Sequence, residues 1–586
     1  MTPPVDGRRP PYIPPPRGRG HDALPQAGMG IRSGGGGDPA SADRSSGDSP
    51  SGDGAGAPVP PATRDSRGAG VRARWSSLAA RGMRPFWVAT VVVLGVQLAG
   101  LLAYSAFLYH RFDLTDDFGT YVQAWWLIGH GHLNPVDTIQ APPYPFWQSH
   151  FELAMWPIAL VGRLWPSSLQ LVWLQDVAVV ATEATALVWA ARVVEERMDS
   201  RRSLAGVAAL VALVWNPWWY QVASFDVHFE VLGLPFVVWS AYALWRGRPR
   251  VALVAGAVAL LFGDVVTVIV ACVAIAGLLS RRVRKDGGLR WPGALGALAL
   301  GWLALIALAG GNRGSGIVTN YGYLVGAGPR AGSLSVLRAL VLHPARALQR
   351  LFDRRAAMGR VVASAGLLGV VTPWGLLVAL GVLGPAALNA NPAFLTPTIA
   401  FQTVAVVPFV FVGTVMVLLR VAPGPDRRAP SWRGPETTRR RRAALAVTLA
   451  LGVAALSLVQ SVPVYESIRG DWWRVDAATA AALRAALPLV PPDAEVVASQ
   501  GVIGRFAERR SVYPYLAAPQ AFPVTEPEVY FVVVPDQGIE SVPPAAALAA
   551  VATLTSRDRA RVVLDRSGVF VLAWHPPPGV HAIVLP

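Results

Sequence analysis

From Phe86 onward the chain alternates apolar runs of about twenty residues, the length that crosses a bilayer, with short polar breaks. This pattern predicts about eleven spans, at 86–108, 169–191, 204–221, 229–245, 249–262, 264–280, 291–309, 358–373, 374–390, 402–420 and 444–462. The fifth and sixth are short and read as a tight hairpin with Gly263 and Asp264 at its outer tip. The breaks at 192–202, 246–250, 281–290 and 420–442 are arginine-rich, and an alternating assignment puts all of them on the cytoplasmic side. The N-terminus is then expected inside and the C-terminus outside, with loops 109–168, 216–228 and 310–357 on the exterior. The last of these loops runs against the charge bias, carrying Arg338, Arg346, Arg350, Arg354 and Arg355. Long loops translocate despite their charge.

The pattern changes at both ends. Residues 1–84 are rich in Pro, Gly, Ser and Arg without aliphatic clusters, and read as a disordered cytoplasmic tail. After Val462 the stretches "DAEVVASQ", "EVYFVVVPD" and "ARVVLDRSGVFVLAW" read as strands, with helices over 477–487 and 544–552. The expected fold is an all-α polytopic membrane protein of about eleven transmembrane helices with a small C-terminal extracytoplasmic α/β domain. Its expected divisions are a tail over 1–84, a transmembrane domain over 85–462 and the external domain over 463–586. For the last, a structural lid is the expected role.

Composition narrows the chemistry. Hydrophobic residues make up 53% of the chain and charged residues 15%, and the net charge of +16 comes almost wholly from arginine. Lys285 is the one lysine, which excludes lysine nucleophiles elsewhere and a Walker-type phosphate loop. The arginines sit beside apolar spans, so anionic headgroups explain them and nucleic acid is not an expected partner. The one cysteine, Cys272, excludes an internal disulfide. "GAGPRAG" at 326–332 lacks the flanking strand and helix of a phosphate cradle and reads as a flexible loop.

Four segments expected near the external face carry polar groups: "LTDDFGTYVQ", "QSHFEL", "SFDVHFEVLGLP" and "FGDVV". Any one of them reads as an ordinary helix cap, but together they make a candidate site. Asp117, Asp226, His228, Glu230 and Asp264 offer oxygen and nitrogen atoms suited to Mg²⁺ or Mn²⁺. A helix is expected from about Phe229, so at most two of Asp226, His228 and Glu230 should converge. Asp113 reads as part of a solvated turn. Over 333–352 an interfacial helix is expected, with Leu337, Leu340, Leu348 and Leu351 on one side and Arg346, Arg350 and Arg354 on another, facing the anionic headgroup or phosphate of a lipid.

"DDFGTYVQAWWLIGHG" and "FDVHFEVLGLP" resemble the two long motifs, F-D-L-G-x-Y-x-Q-A-x-W and F-D-F-H-P-E-x-L-A-L-P, of the membrane family known as domain of unknown function 2079. "SHFEL" resembles its H-F-S-P segment and "NYGYLVGAG" its Y-x-Y-L-G stretch. The chain departs from the family at Phe262-Gly263, where Lys-Glu is usual, at Phe401-Gln402, where His-Tyr is usual, and at Phe229, where proline is usual. In layout the family is similar to lipid-dependent membrane glycosyltransferases of the C fold. That resemblance implies a polyprenyl-phosphate-linked sugar donor, an external active site, and a carboxylate after the first span, Asp117 by position with Asp116 beside it. The expected catalytic set is Asp117, Asp116, Asp226 and His228. Tyr121, Gln123, His150, Glu230, Asp264, Arg313, Tyr321 and Arg330 are the expected substrate-binding residues. A carrier using intramembrane acids and a non-catalytic scaffold are the rival classes.

Overall fold

A computed structural model of the protein describes residues 83–139, 143–149, 151–198, 202–309, 315–325, 333–396, 401–422, 436–470, 472–535 and 541–586. The expected N-terminal tail, His150, Arg313, Arg330 and the 326–332 loop lie outside them. The helices that matter for the site are α1 (Arg84–His110), α2 (Asp116–Gly129), α3 (Leu169–Arg197), α4 (Pro217–Ala223), α5 (Phe229–Trp245), α6 (Asp264–Leu279), α7 (Pro344–Asp353), α8 (Pro373–Leu388), α9 (Val406–Val421), α10 (Ala477–Ala486) and α11 (Pro544–Ser556).

Four described helices are long and apolar enough to cross a bilayer: α1, α3, Arg290–Leu308 and the last long helix over Glu436–Arg469. Eight more described apolar helices are of 10–17 residues, six of them before Val462 with α5, α6, α8 and α9 among these, so length alone does not reach the expected number of spans. The central member is α3, 67% buried over its apolar window against 28% for α1 and 0% for the last long helix. On α1 the buried positions Phe86, Thr90, Leu94, Gln97, Leu101, Ser105 and Leu108 recur at spacings of three and four, one stripe of the helix, while Val91 and Val96 on the opposite side are exposed. That stripe packs against α3.

Two expected spans are broken for local reasons. Helix Arg202–Val214 ends, and Asn216 caps α4 by accepting the Trp218 N–H at 3.1 Å, with Pro217 at the first helical position. The expected span 358–373 is helix only to Ser364. Gly366 at φ 111° turns the chain into a short 3₁₀ segment, Leu368–Val371, before Pro373 opens α8. There Gly369 lies so close to α9 that a Cβ would run into the Val410 backbone. Gly369→Ala is therefore expected to cost at least the 1–3 kcal/mol or so typical of overpacking, read as a lowered unfolding temperature in detergent.

The expected single helix over 333–352 is two, Ser333–Leu342 and α7, because Pro344 cannot continue the first and pushes His343 out of helical geometry, at φ −128° and ψ 52°. Leu348 and Phe352 of α7 are exposed, as an interfacial face requires. Arg346 is exposed, but the other two arginines do not face lipid. Arg350 donates to the Asn389 and Ala390 carbonyls at 3.4 and 3.0 Å, and Arg354 to those of Ala386, Asn391 and Ala390 at 3.4, 3.2 and 3.2 Å, capping the negative end of α8.

Beyond Gly470 the chain forms a five-stranded sheet of order β4-β3-β6-β8-β7, with β3 (Glu495–Ser499) parallel to β4 (Val512–Tyr515) and β6 (Val529–Val533), and β8 (Val569–Trp574) antiparallel to β6 and to β7 (Arg561–Arg566). A two-stranded ladder joins β5 (Gln520–Pro523) to β9 (Ala582–Leu585), and another joins β1 (Val136–Asp137) to β2 (Tyr144–Pro145). The alternation of strand side chains divides the sheet between two cores. Val496, Ala498, Tyr530, Val532 and Val571 join the helical core with Phe112, Phe118 and Phe506. Val497, Phe531, Val533 and Leu572 make a second core with Leu554 of α11. One sheet face therefore seals the end of the bundle where α2 lies.

Candidate functional site

The segment between α1 and α2 is built by three acids with three different partners. Asp113, 1% exposed, accepts the Arg474 N–H at 2.6 Å and the Val475 N–H at 3.2 Å on one oxygen, and the Arg474 Nε at 2.7 Å on the other. The expected solvated turn is thus a buried ion pair. Thr115 caps α2, its hydroxyl accepting the Asp117 N–H at 3.4 Å, while its own N–H and hydroxyl donate to Asp226. Asp116 turns toward the sheet domain, where its Oδ1 accepts the Gln500 Nε2 at 3.0 Å. Burial pushes its carboxyl above the usual range, with Gln500 pulling it back.

Asp117, one residue on, faces a cavity of about 230 Å³. Tyr121, His228 and Glu230 line it with Asp117, and so do Phe401 and Gln402, one of the three places where the chain departs from the family pattern. The His228 ring stacks on Phe401 at 3.3 Å between centroids and on Phe225 at 5.7 Å. Its backbone N–H donates to Gln175 Oε1 at 2.8 Å, so α3 fixes the entry to α5. Helix α5 begins at Phe229, which sends Asp226 to Thr115 and leaves His228 and Glu230 at the cavity. The Tyr121 ring stacks on Phe229 at 5.1 Å and its hydroxyl donates to Glu152 at 3.3 Å. Burial, then the charges of Glu152, Glu230 and Asp117, push the Tyr121 hydroxyl well above its ordinary value.

The other expected residues stand elsewhere. Gln123 is buried against the sheet domain, donating to Thr138 Oγ1 at 2.7 Å and to the Arg510 carbonyl at 2.9 Å. Asp264 accepts the Val265 N–H at 2.9 Å in the first turn of α6. Tyr321 donates to the Pro385 carbonyl at 3.3 Å. Glu152, 3% exposed, belongs to the site and was not singled out in the sequence, although an acid between Phe151 and Leu153 was a signal. Gly263 at φ 110° packs on it, where a Cβ would meet Glu152 Cγ at 3.3 Å. Among the described residues no three His, Cys, Asp or Glu side chains are grouped to hold a metal ion.

Asp226 is wholly buried, and burial pushes its carboxyl up to about 6 against the pull of Arg474 and Thr115. The folded protein thus binds this proton more tightly than the unfolded chain does. The ionised carboxylate costs stability that is absent at low pH and fully expressed above pH 6, up to about 3 kcal/mol. Stability should fall as pH rises between about 4 and 6, and Asp226→Asn should flatten that slope in thermal unfolding. An unchanged slope in the variant would refute the assignment.

Residues 109–539 match the sequence profile of the family described as "Predicted membrane protein (DUF2079)". The chain belongs to this family. Two solved structures of ArnT from Cupriavidus metallidurans are similar to it at 12% identity. The one bound to undecaprenyl phosphate has a TM-score of 0.40, covering 82% of this chain and 98% of that one. The one in the apo state has a TM-score of 0.39, covering 83% and 97%. A comparison with curated proteins finds no match. The matched region of this DUF2079 protein takes in α2, the cavity and most of the sheet domain.

Proposed function

We propose that this DUF2079 membrane protein transfers a sugar from polyprenyl phosphate to an acceptor hydroxyl at the external face of the cell membrane, with its N-terminus in the cytoplasm and residues 463–586 outside. The observation that supports this reading most is that Asp117 and the pair His228 and Glu230, from separate motifs, line one cavity. Asp117 takes the proton of the acceptor hydroxyl as its oxygen bonds to the anomeric carbon. The carbon–oxygen bond to phosphate then breaks, and the lipid phosphate leaves with the electron pair. His228 donates a ring N–H to the leaving phosphate, and the sheet domain holds the loop that carries Asp117.

The test supplies purified membranes with a panel of polyprenyl-phosphate sugars and follows transfer by mass spectrometry, beside a comparison of envelope glycans with and without the gene. Transfer from one donor and loss of one glycan are expected. No transfer from a broad panel together with unchanged glycans would overturn the reading.

A further inference from the structure

Helix α3 carries two acids inside its apolar length, Asp176 and Glu183, both 0% exposed. Seven residues apart, they share one face of the helix and lie about 10 Å apart along it. The facing stripe of α1 supplies polar groups in matching order, Ser105 beside Asp176 and Gln97 beside Glu183. Tyr220 of α4 faces Glu183 from another side. Thr90 continues the stripe toward the other end of α1. At the α2 end, Gln175 holds the wall of the cavity, donating to the Val222 and Asp226 carbonyls at 3.2 Å each.

Polar residues that serve only to join membrane helices satisfy one another with hydrogen bonds. Here Ser105 and Gln97 come near enough to act on Asp176 and Glu183, yet no hydrogen bond of ordinary length and angle forms between them. Among the described residues, both oxygens of Asp176, both oxygens of Glu183 and both polar atoms of Gln97 lack a hydrogen-bond partner, and Gln97 is 8% exposed. A carboxylate without a partner in an apolar interior is carried with a proton, and a carboxylic acid without a partner retains a donor and an acceptor to offer. Ionisable groups so placed in membrane proteins serve proton transfer more than architecture.

We propose that the α1–α3 interface is a proton relay, in which Asp176 and Glu183 bind and release protons while Ser105 and Gln97 orient the water between them. Each step moves one proton. A carboxylic acid gives it to water, leaving a carboxylate and a hydronium ion, and the next carboxylate takes it back. The relay makes no use of Asp117 and needs no sugar, so it stands or falls apart from the transferase reading.

The full-length protein is reconstituted into liposomes containing a pH-sensitive dye, with the membrane potential clamped by potassium and valinomycin, and an inward proton gradient is applied. The wild type should acidify the lumen faster than empty liposomes, with Glu183→Gln slower by at least about tenfold and Glu183→Asp retaining part of the rate. Wild-type rates equal to those of empty liposomes, or of Glu183→Gln, would overturn the proposal. Dicyclohexylcarbodiimide reacts with protonated carboxyls in apolar surroundings, so mass spectrometry of the treated wild type should find the adduct on Glu183 or Asp176. This measurement decides the matter even where a variant fails to fold, and absence of the adduct from both residues refutes the relay.

Discussion

Asp117→Asn is expected to lower sugar transfer by about a hundredfold or more, because asparagine keeps the shape of the side chain but cannot accept the acceptor's proton. The fold should survive the change. Thr115 caps α2 through its own hydroxyl and is held by Asp226, so the first turn of the helix does not depend on the Asp117 carboxylate. The unfolding temperature of the variant should match that of the wild type, which separates a chemical role from a structural one. Transfer by Asp117→Asn at the wild-type rate would remove Asp117 as the base and move attention to Glu230 and His228, which line the same cavity. A failure of the unaltered protein to transfer any sugar is a different result, and bears on the transferase reading itself.

The parts of this site that were legible in the sequence are those carried by short contiguous patterns. The segment around Asp116 and Asp117 reads as a helix cap and does start a helix, with Thr115 as the cap and the two acids in the first turn. The strands of the sheet domain announce themselves by runs of Val, Phe and Tyr. What was not legible depends on partners far away in the chain. Asp113 looks like a surface turn until Arg474, 361 residues on, is placed against it. Asp226 looks like a third member of the His228 and Glu230 series until Thr115, 111 residues earlier, claims its carboxylate.

Arginine was misread for a related reason. Near a membrane its default partner is a lipid headgroup, but Arg350 and Arg354 found nearer acceptors in the unpaired carbonyls at the end of α8. The acids of α3 show the opposite failure. Asp176 and Glu183 stand in plain view within "LQDVAVVATEATAL", yet the hydropathy of the run hides them when spans are counted by average. An acid within a span outweighs the average around it, because its burial must be compensated locally.

Asp113→Ala should cost the fold about 3–5 kcal/mol, the range found when one partner of a buried ion pair is removed and the other charge is left behind. The pair has the features that place it at the strong end. The Asp113 side chain is 1% exposed and that of Arg474 15% exposed, and the carboxylate takes two backbone N–H groups as well as the guanidinium, while the Asp113 carbonyl accepts Arg474 Nη2 at 2.7 Å. Asp113→Asn should also be damaging, because its amide turns a donor toward groups that are all donors. Arg474→Ala should destabilise by a similar amount, and the double variant by much less than the sum, since removing both charges leaves neither stranded. The loss should reach function as well, because this pair ties the turn before α2 to the chain entering the sheet domain. Thermal unfolding in detergent, with Asp117→Asn as the control that keeps its stability, measures the effect. An Asp113→Ala protein that unfolds at the wild-type temperature would show that the sheet domain is held by its apolar face alone.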